Sequence, residues 1–130
     1  MSTRKLLVVD DDSSVREMLT ELFTEAGYTV VAAADGASAL KALDENNLQV
    51  MLLDLKLPDT DGLALCRKIR EFNPVACIFA MTAYTSLFEL ADAREAGFDD
   101  YFIKPVDMKL LRDTISNAFL LVERWKRKGS

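Results

Sequence analysis

Four short apolar runs in this chain each stop at a polar residue, and the segments between them have helical spacing. Leu6-Leu7-Val8-Val9 runs into Asp10-Asp11-Asp12, and Val50-Met51-Leu52-Leu53 into Asp54. Ile78-Phe79-Ala80-Met81 ends at Thr82, and Tyr101-Phe102-Ile103 at Lys104-Pro105. Runs of this length without polar alternation read as strands covered on both faces, the habit of parallel sheets. Ligands of an open parallel sheet sit in the crevice beyond the strand C-termini. Strands lying side by side would therefore gather carboxylates, a hydroxyl and an ammonium into one pocket.

The alternation runs the length of the chain. Strands are expected at 6–9, 28–33, 48–53, 76–81 and 101–103, and helices at 14–26, 36–46, 62–72, 85–96 and from 107 to at least 123. Ser14-Val15-Arg16-Glu17 has the spacing of a capping box, and Gly27 and Gly97 suit left-handed helix stops. Periodicity turns Val15, Leu19, Leu22 and Phe23 inward in the first helix, Ala39, Leu40 and Leu43 in the second, and Leu65, Ile69 and Phe72 in the third. Five strands alternating with five helices predict a three-layer α/β domain, a doubly wound parallel sheet. Residues 1–122 are expected to form that domain and 123–130 a C-terminal helix extension or tail.

Composition removes several function classes. The chain has 130 residues and a net charge of −5, which argues against direct nucleic-acid binding. No apolar stretch approaches the ~20 residues of a membrane span, and the N-terminus leads straight into a strand, so a cytoplasmic protein without membrane contact is expected. Histidine is absent, excluding a Ser-His-Asp triad, a histidine metal site and a phosphohistidine of its own. Cys66 and Cys77 lie among apolar residues and read as buried free thiols. An EF-hand ending at Gly62 would begin at the non-ligand Leu57 and put its bidentate position on Lys68. Pro58 separates Asp59-Thr60-Asp61 from its strand, unlike an aspartate-based phosphatase, and no glycine-rich phosphate loop is present.

Each pocket residue also has a plain structural explanation. Asp12, Ser13 or Ser14 can cap the first helix, Thr82 can cap the fourth, and Lys104 can be a surface charge. Tyr101 can be an ordinary strand aromatic. Jointly they say more. Asp10, Asp11 and Asp54 at the ends of adjacent strands would need a hard cation, and Mg²⁺ prefers such oxygen ligands. A carboxylate is a competent phosphoryl acceptor once the donor's charge is neutralised.

These motifs, taken together, resemble the response-regulator receiver domains of two-component signalling. Leu7-Val8-Val9-Asp10-Asp11-Asp12-Ser13-Ser14-Val15-Arg16 is similar to the family's opening, and 51–62, Met81-Thr82-Ala83 and 97–105 to its remaining signatures. The resemblance covers residues 5–122. It implies a flavodoxin-like sheet of order 2-1-3-4-5 and Asp54 as phosphoacceptor. Asp11, Asp54 and the Lys56 carbonyl would ligate Mg²⁺ (or Mn²⁺), with Asp10 acting through water. Thr82 and Lys104 would bind phosphoryl oxygens, and the Lys104–Pro105 peptide would be cis. Thr82 and Tyr101 would form a switch acting on the fourth helix, fifth strand and fifth helix, while Lys56 and Tyr84 would tune phosphate lifetime. Implied partners are a sensor histidine kinase or histidine phosphotransfer protein, an output domain or target, and a second copy docked through that same surface. Such a chain phosphorylates and slowly dephosphorylates itself and is not a turnover enzyme. Val106 stands where many relatives have phenylalanine, a matter of local packing.

The last helix has two readings. Leu111, Ile115, Ala118, Val122 and Trp125 make a heptad-like stripe, of which the first three suit the sheet. Lys126-Arg127-Lys128 complements the negative end of the helix dipole. Alternatively, the end of this helix begins a signalling helix or a dimer contact.

Overall fold

The computed structural model describes residues 4–83 and 87–129. Five strands and five helices alternate: β1 (Lys5–Val9), α1 (Ser13–Glu25), β2 (Thr29–Ala33), α2 (Gly36–Glu45), β3 (Val50–Asp54), α3 (Gly62–Phe72), β4 (Cys77–Thr82), α4 (Leu87–Ala96), β5 (Asp100–Ile103) and α5 (Met108–Gly129). All strand pairings are parallel, and the sheet order is β2-β1-β3-β4-β5. The doubly wound, flavodoxin-like fold expected from the sequence is the fold observed. Tyr84 and the expected start of the fourth helix at Thr85 lie outside the described residues.

Alternate residues of a strand face opposite sides of the sheet, which explains why the central runs are apolar throughout. Leu7, Val9, Met51, Leu53, Ile78 and Ala80 meet α2, α3 and α4 through Ala39, Leu65, Cys66, Ile69 and Ala93. Leu6, Val8, Val50, Leu52, Phe79 and Met81 meet α1 and α5 through Leu19, Phe23, Leu111, Ile115 and Phe119. Both cysteines are free and buried, as expected, and burial raises the Cys66 thiol pKa to about 11. Gly27 and Gly97 take positive φ, as their helix-stop reading requires.

Two local expectations are corrected. The first helix is not capped by a Ser14–Glu17 box. Asp12 is its N-cap and accepts from the Ser14 and Val15 amides at 2.9 and 3.4 Å. Its carboxylate reaches the free amides of the first turn from one residue before the helix, so the helix starts at Ser13. Phe72 is not inward but 56 % exposed. It is the terminal residue of α3, beside the Asn73 cap, and periodicity gives the face of a helix end but not its depth. Cys66 fills the buried stripe instead.

α5 continues unbroken across residue 122 to Gly129. Arg4 holds Glu123 through Nε and Nη2, both at 2.9 Å, and its guanidinium lies 5.7 Å from the Phe119 ring centroid. Val122 is partly buried against the α1/α5 core, whereas Trp125 is 58 % exposed. Among the described residues, no helix is long and apolar enough to cross a membrane.

Candidate functional site

Strand register alone brings the four polar stops together. Val9 pairs with Leu53, so Asp10 follows the last pair of β1 and β3 just as Asp54 does. Asp54 pairs with Met81, Thr82 with Ile103, and Lys104 follows. Backbone bonds continue the ladder beyond the strands: the Leu55 amide donates to the Met81 carbonyl at 3.2 Å, and Lys104 N–H to the Thr82 carbonyl at 2.8 Å. Gly62 permits the close approach of α3 to this edge. A Cβ there would lie 2.5 Å from the Asp54 carbonyl oxygen and 2.7 Å from Leu55 Cα.

The side chains form a graded pocket. Asp10 is fully buried at its floor, Asp54 is 8 % exposed, and Asp11 is exposed at the rim. One carboxylate oxygen from each of the three lies within 4.8 Å of the others. Lys104 Nζ donates to Asp10 Oδ2 at 2.8 Å and to Asp54 Oδ2 at 3.2 Å. The Asp12 amide satisfies Asp10 Oδ1 at 3.0 Å, and the Lys56 amide reaches Asp54 Oδ1 at 3.2 Å. Arg16 Nη1 steadies the Asp10 carbonyl at 2.7 Å, a contact that nothing in the sequence singles out. Thr82 is buried at the end of β4. The Lys104–Pro105 peptide is cis.

Burial pushes the Asp54 pKa up, as does the Asp10 charge, against the Lys56 amide and Lys104. For Lys104, burial works to lower the pKa, but the hydrogen bond to Asp10 and the nearby Asp54 charge outweigh it, so the net shift is upward. Three carboxylates thus cluster together, and two of them, Asp10 and Asp54, share the Lys104 ammonium. That excess of negative oxygen ligands fits a hard divalent cation. A hollow of about 590 Å³ runs along α1 past Arg16, Thr20 and Thr24. None of Asp10, Asp11 or Asp54 lines it, and ion chemistry depends on donor atoms rather than volume.

Tyr101 does not point into the pocket. It is 41 % exposed and borders a groove with Leu90, Arg94 and Phe98, between α4 and β5. Asp10, Asp11, Asp54, Thr82 and Lys104 therefore come together at one edge, with Lys56 beside them and Tyr101 turned away.

Comparison with known proteins agrees with this geometry. The response regulator receiver domain model matches residues 6–116. The sporulation initiation phosphotransferase F of Bacillus subtilis is 32 % identical over 115 residues, 88 % of this chain and 93 % of that protein. The DNA-binding transcriptional regulator NtrC of Escherichia coli is 38 % identical over 117 residues, 90 % of this chain but 24 % of that protein. A CheY-like receiver domain structure from Methanospirillum hungatei superposes with a TM-score of 0.87 at 30 % identity, covering 97 % of this chain and 99 % of that one. The chain belongs to the response regulator receiver domain family of two-component systems. It spans only 51 % and 26 % of the length of two other relatives, the probable transcriptional regulator ycf27 and the transcriptional regulatory protein ZraR.

Proposed function

We propose that the chain is a phosphorylation-driven switch in which Asp54 accepts a phosphoryl group from a phosphohistidine of a sensor histidine kinase or histidine phosphotransfer protein. The observation that carries this reading is Asp54 itself, almost buried, grouped with Asp10 and Asp11 and bridged to Asp10 by Lys104. Asp11, Asp54 and the Lys56 carbonyl would hold Mg²⁺ or Mn²⁺, with Asp10 acting through water. The cation supplies neutralisation of charge on the transferred group. An Asp54 oxygen forms the new P–O bond as the donor's P–N bond breaks, and the departing imidazole nitrogen keeps the bonding pair and takes a proton from solvent. Lys104 and the Thr82 hydroxyl bind the phosphoryl oxygens as they arrive, a matter of position and charge rather than of further covalent steps.

Thr82 drawn toward the phosphoryl group would leave room for Tyr101 to turn inward and alter the α4, β5 and α5 surface. That surface would meet a target, an appended output domain or a second copy. Lys56 and Tyr84 would set how slowly the acyl phosphate is lost. The chain would act in the cytoplasm as a stoichiometric acceptor, not as a turnover enzyme.

Acetyl phosphate with Mg²⁺, followed by intact mass and phosphate release, tests this reading. The expected result is one base-labile phosphoryl adduct per chain, absent in Asp54→Ala. Rapid multiple turnover on phosphate esters would make the chain a hydrolase instead, and no adduct in the wild type would leave only a binding module.

A further inference from the structure

The loop after β3 is fastened to its surroundings at both its base and its tip. At the base, the Gly62 amide donates to the Leu55 carbonyl at 2.8 Å, Lys56 and Asp61 form an antiparallel bridge, and Asp61 caps α3 through the Ala64 amide at 2.7 Å. At the tip, Asp59 crosses to another element. Its Oδ1 accepts from the Gly36 amide at 2.8 Å and its Oδ2 from the Ala37 amide at 3.0 Å. Both oxygens are thus spent on the first two amides of α2, and these two backbone bonds pull the Asp59 pKa below the usual carboxylate range.

α2 already has a cap of its own. Asp35 accepts from the Ser38 amide at 2.7 Å. Asp59 is therefore not needed merely to cap the helix start, and it does what Asp35 cannot: it joins the loop after β3 to α2. The two elements are packed closely there, since a Cβ on Gly36 would come within 2.5 Å of Thr60 Cγ2. The strand before α2 is in turn tied to the pocket floor, because the Asp10 amide donates to the Ala33 carbonyl at 3.1 Å. A route of backbone bonds thus runs from Asp10 through Ala33 to α2, across Asp59, and back to the loop holding Lys56.

We infer that Asp59 is a positioning residue for the cation site, holding the 55–61 backbone so that the Lys56 carbonyl faces Asp54 and Asp11. This rests on the receiver reading above, in which that carbonyl is a ligand. Outer partners that fix a ligand's orientation commonly change metal affinity tenfold or more without touching the metal. The sequence offers Asp59 only as part of an acidic cluster after Pro58. Its role depends on α2 lying opposite, a relation between residues 22 and 23 positions apart.

The test compares two caps on one helix. Mg²⁺ dissociation constants are measured by calorimetry on the full chain for wild type, Asp59→Ala, Asp59→Asn and Asp35→Ala. Thermal melts and amide exchange of residues 55–61 are followed alongside. Asp59→Ala is expected to weaken Mg²⁺ binding by about tenfold and to speed exchange in the loop. Asp59→Asn, which keeps one acceptor oxygen, should fall between it and wild type. Asp35→Ala should lower the melting temperature but shift the dissociation constant by less than about twofold. Equal weakening in Asp35→Ala and Asp59→Ala would reduce Asp59 to a helix cap and overturn the inference, as would unchanged binding in Asp59→Ala. Absence of Mg²⁺ binding in the wild type would remove the receiver reading first, and the inference with it.

Discussion

Strand β4 carries a charged cluster at each end, and the two are built on opposite principles. At its N-terminal end, Arg70 spends five hydrogen bonds. Nε and Nη2 reach the Gly97 carbonyl at 2.9 and 2.7 Å, Nη1 the carbonyls of Pro74 and Ala76 at 3.0 and 2.6 Å, and Nη2 also Asp99 at 2.9 Å. Asp99 in turn accepts the Ile78 amide at 2.8 Å. Every donor of that guanidinium is matched. At the C-terminal end, Asp10 and Asp54 share Lys104 with Asp11 close by, and burial disfavours the charge that Asp54 needs. The satisfied end fastens α3, β4 and the turn before β5 together. The other end gathers more carboxylates than cations, a donor set that suits a hard divalent cation.

The contrast is broken most forcefully at Arg70. Arg70→Ala would leave three carbonyls without the guanidinium and Asp99 with the Ile78 amide alone, at a cost of about 3 kcal/mol. Arg70→Lys should recover little, because an ammonium cannot reproduce the planar fork. Urea unfolding measures the loss, while acetyl phosphate should still label the folded fraction of Arg70→Ala stoichiometrically. Loss of labelling in folded protein would mean that the two ends are not separable.

Asp54→Asn should act with the opposite sign. It removes a buried charge facing Asp10, so stability should rise by about 1 kcal/mol while phosphoryl acceptance disappears, the usual exchange of function for stability at a site. The pH dependence follows from the upward shift of Asp54. A raised folded pKa means that Asp54 contributes most stability when protonated, below the ordinary aspartate range. That contribution is lost as the pH rises through the folded value. Acceptance runs the other way, since the nucleophile is the carboxylate. Wild type minus Asp54→Asn melting temperatures across the acid range should therefore decline with rising pH, and labelling of wild type should climb over the same window. A flat difference would mean that burial does not burden Asp54.

The same contrast explains what the sequence discloses. Apolar runs that end in Asp10, Asp54, Thr82 and Lys104 announce both the sheet and its functional edge, because a parallel sheet must place those stops on one side. Helix periodicity is equally visible where helices lie on the sheet, as at Leu19, Phe23, Leu65 and Ile69. It fails at the margin, where Phe72 keeps the phase of its stripe yet remains exposed. The capping residue of α1 is legible only as one of several candidates, since Asp12, Ser13 and Ser14 all have suitable chemistry and backbone geometry chooses among them. Arg70 and Asp59 are not legible at all. Their partners are mostly backbone groups, which carry no residue identity, brought near by elements folded up to 29 positions away.

The finest probe of the satisfied end is Asp99. Its Oδ2 takes both Arg70 Nη2 and the Ile78 amide, yet the Asp99 side chain is 46 % exposed. An ion pair so open to solvent contributes little beyond its hydrogen bonds. Asp99→Asn keeps an acceptor oxygen in place, so the loss should be about 0.5 kcal/mol and should vary little with salt. Chemical denaturation in urea at low and high ionic strength measures both quantities. A loss near that of Arg70→Ala, or one that vanishes in salt, would mean that charge rather than donor matching holds this end.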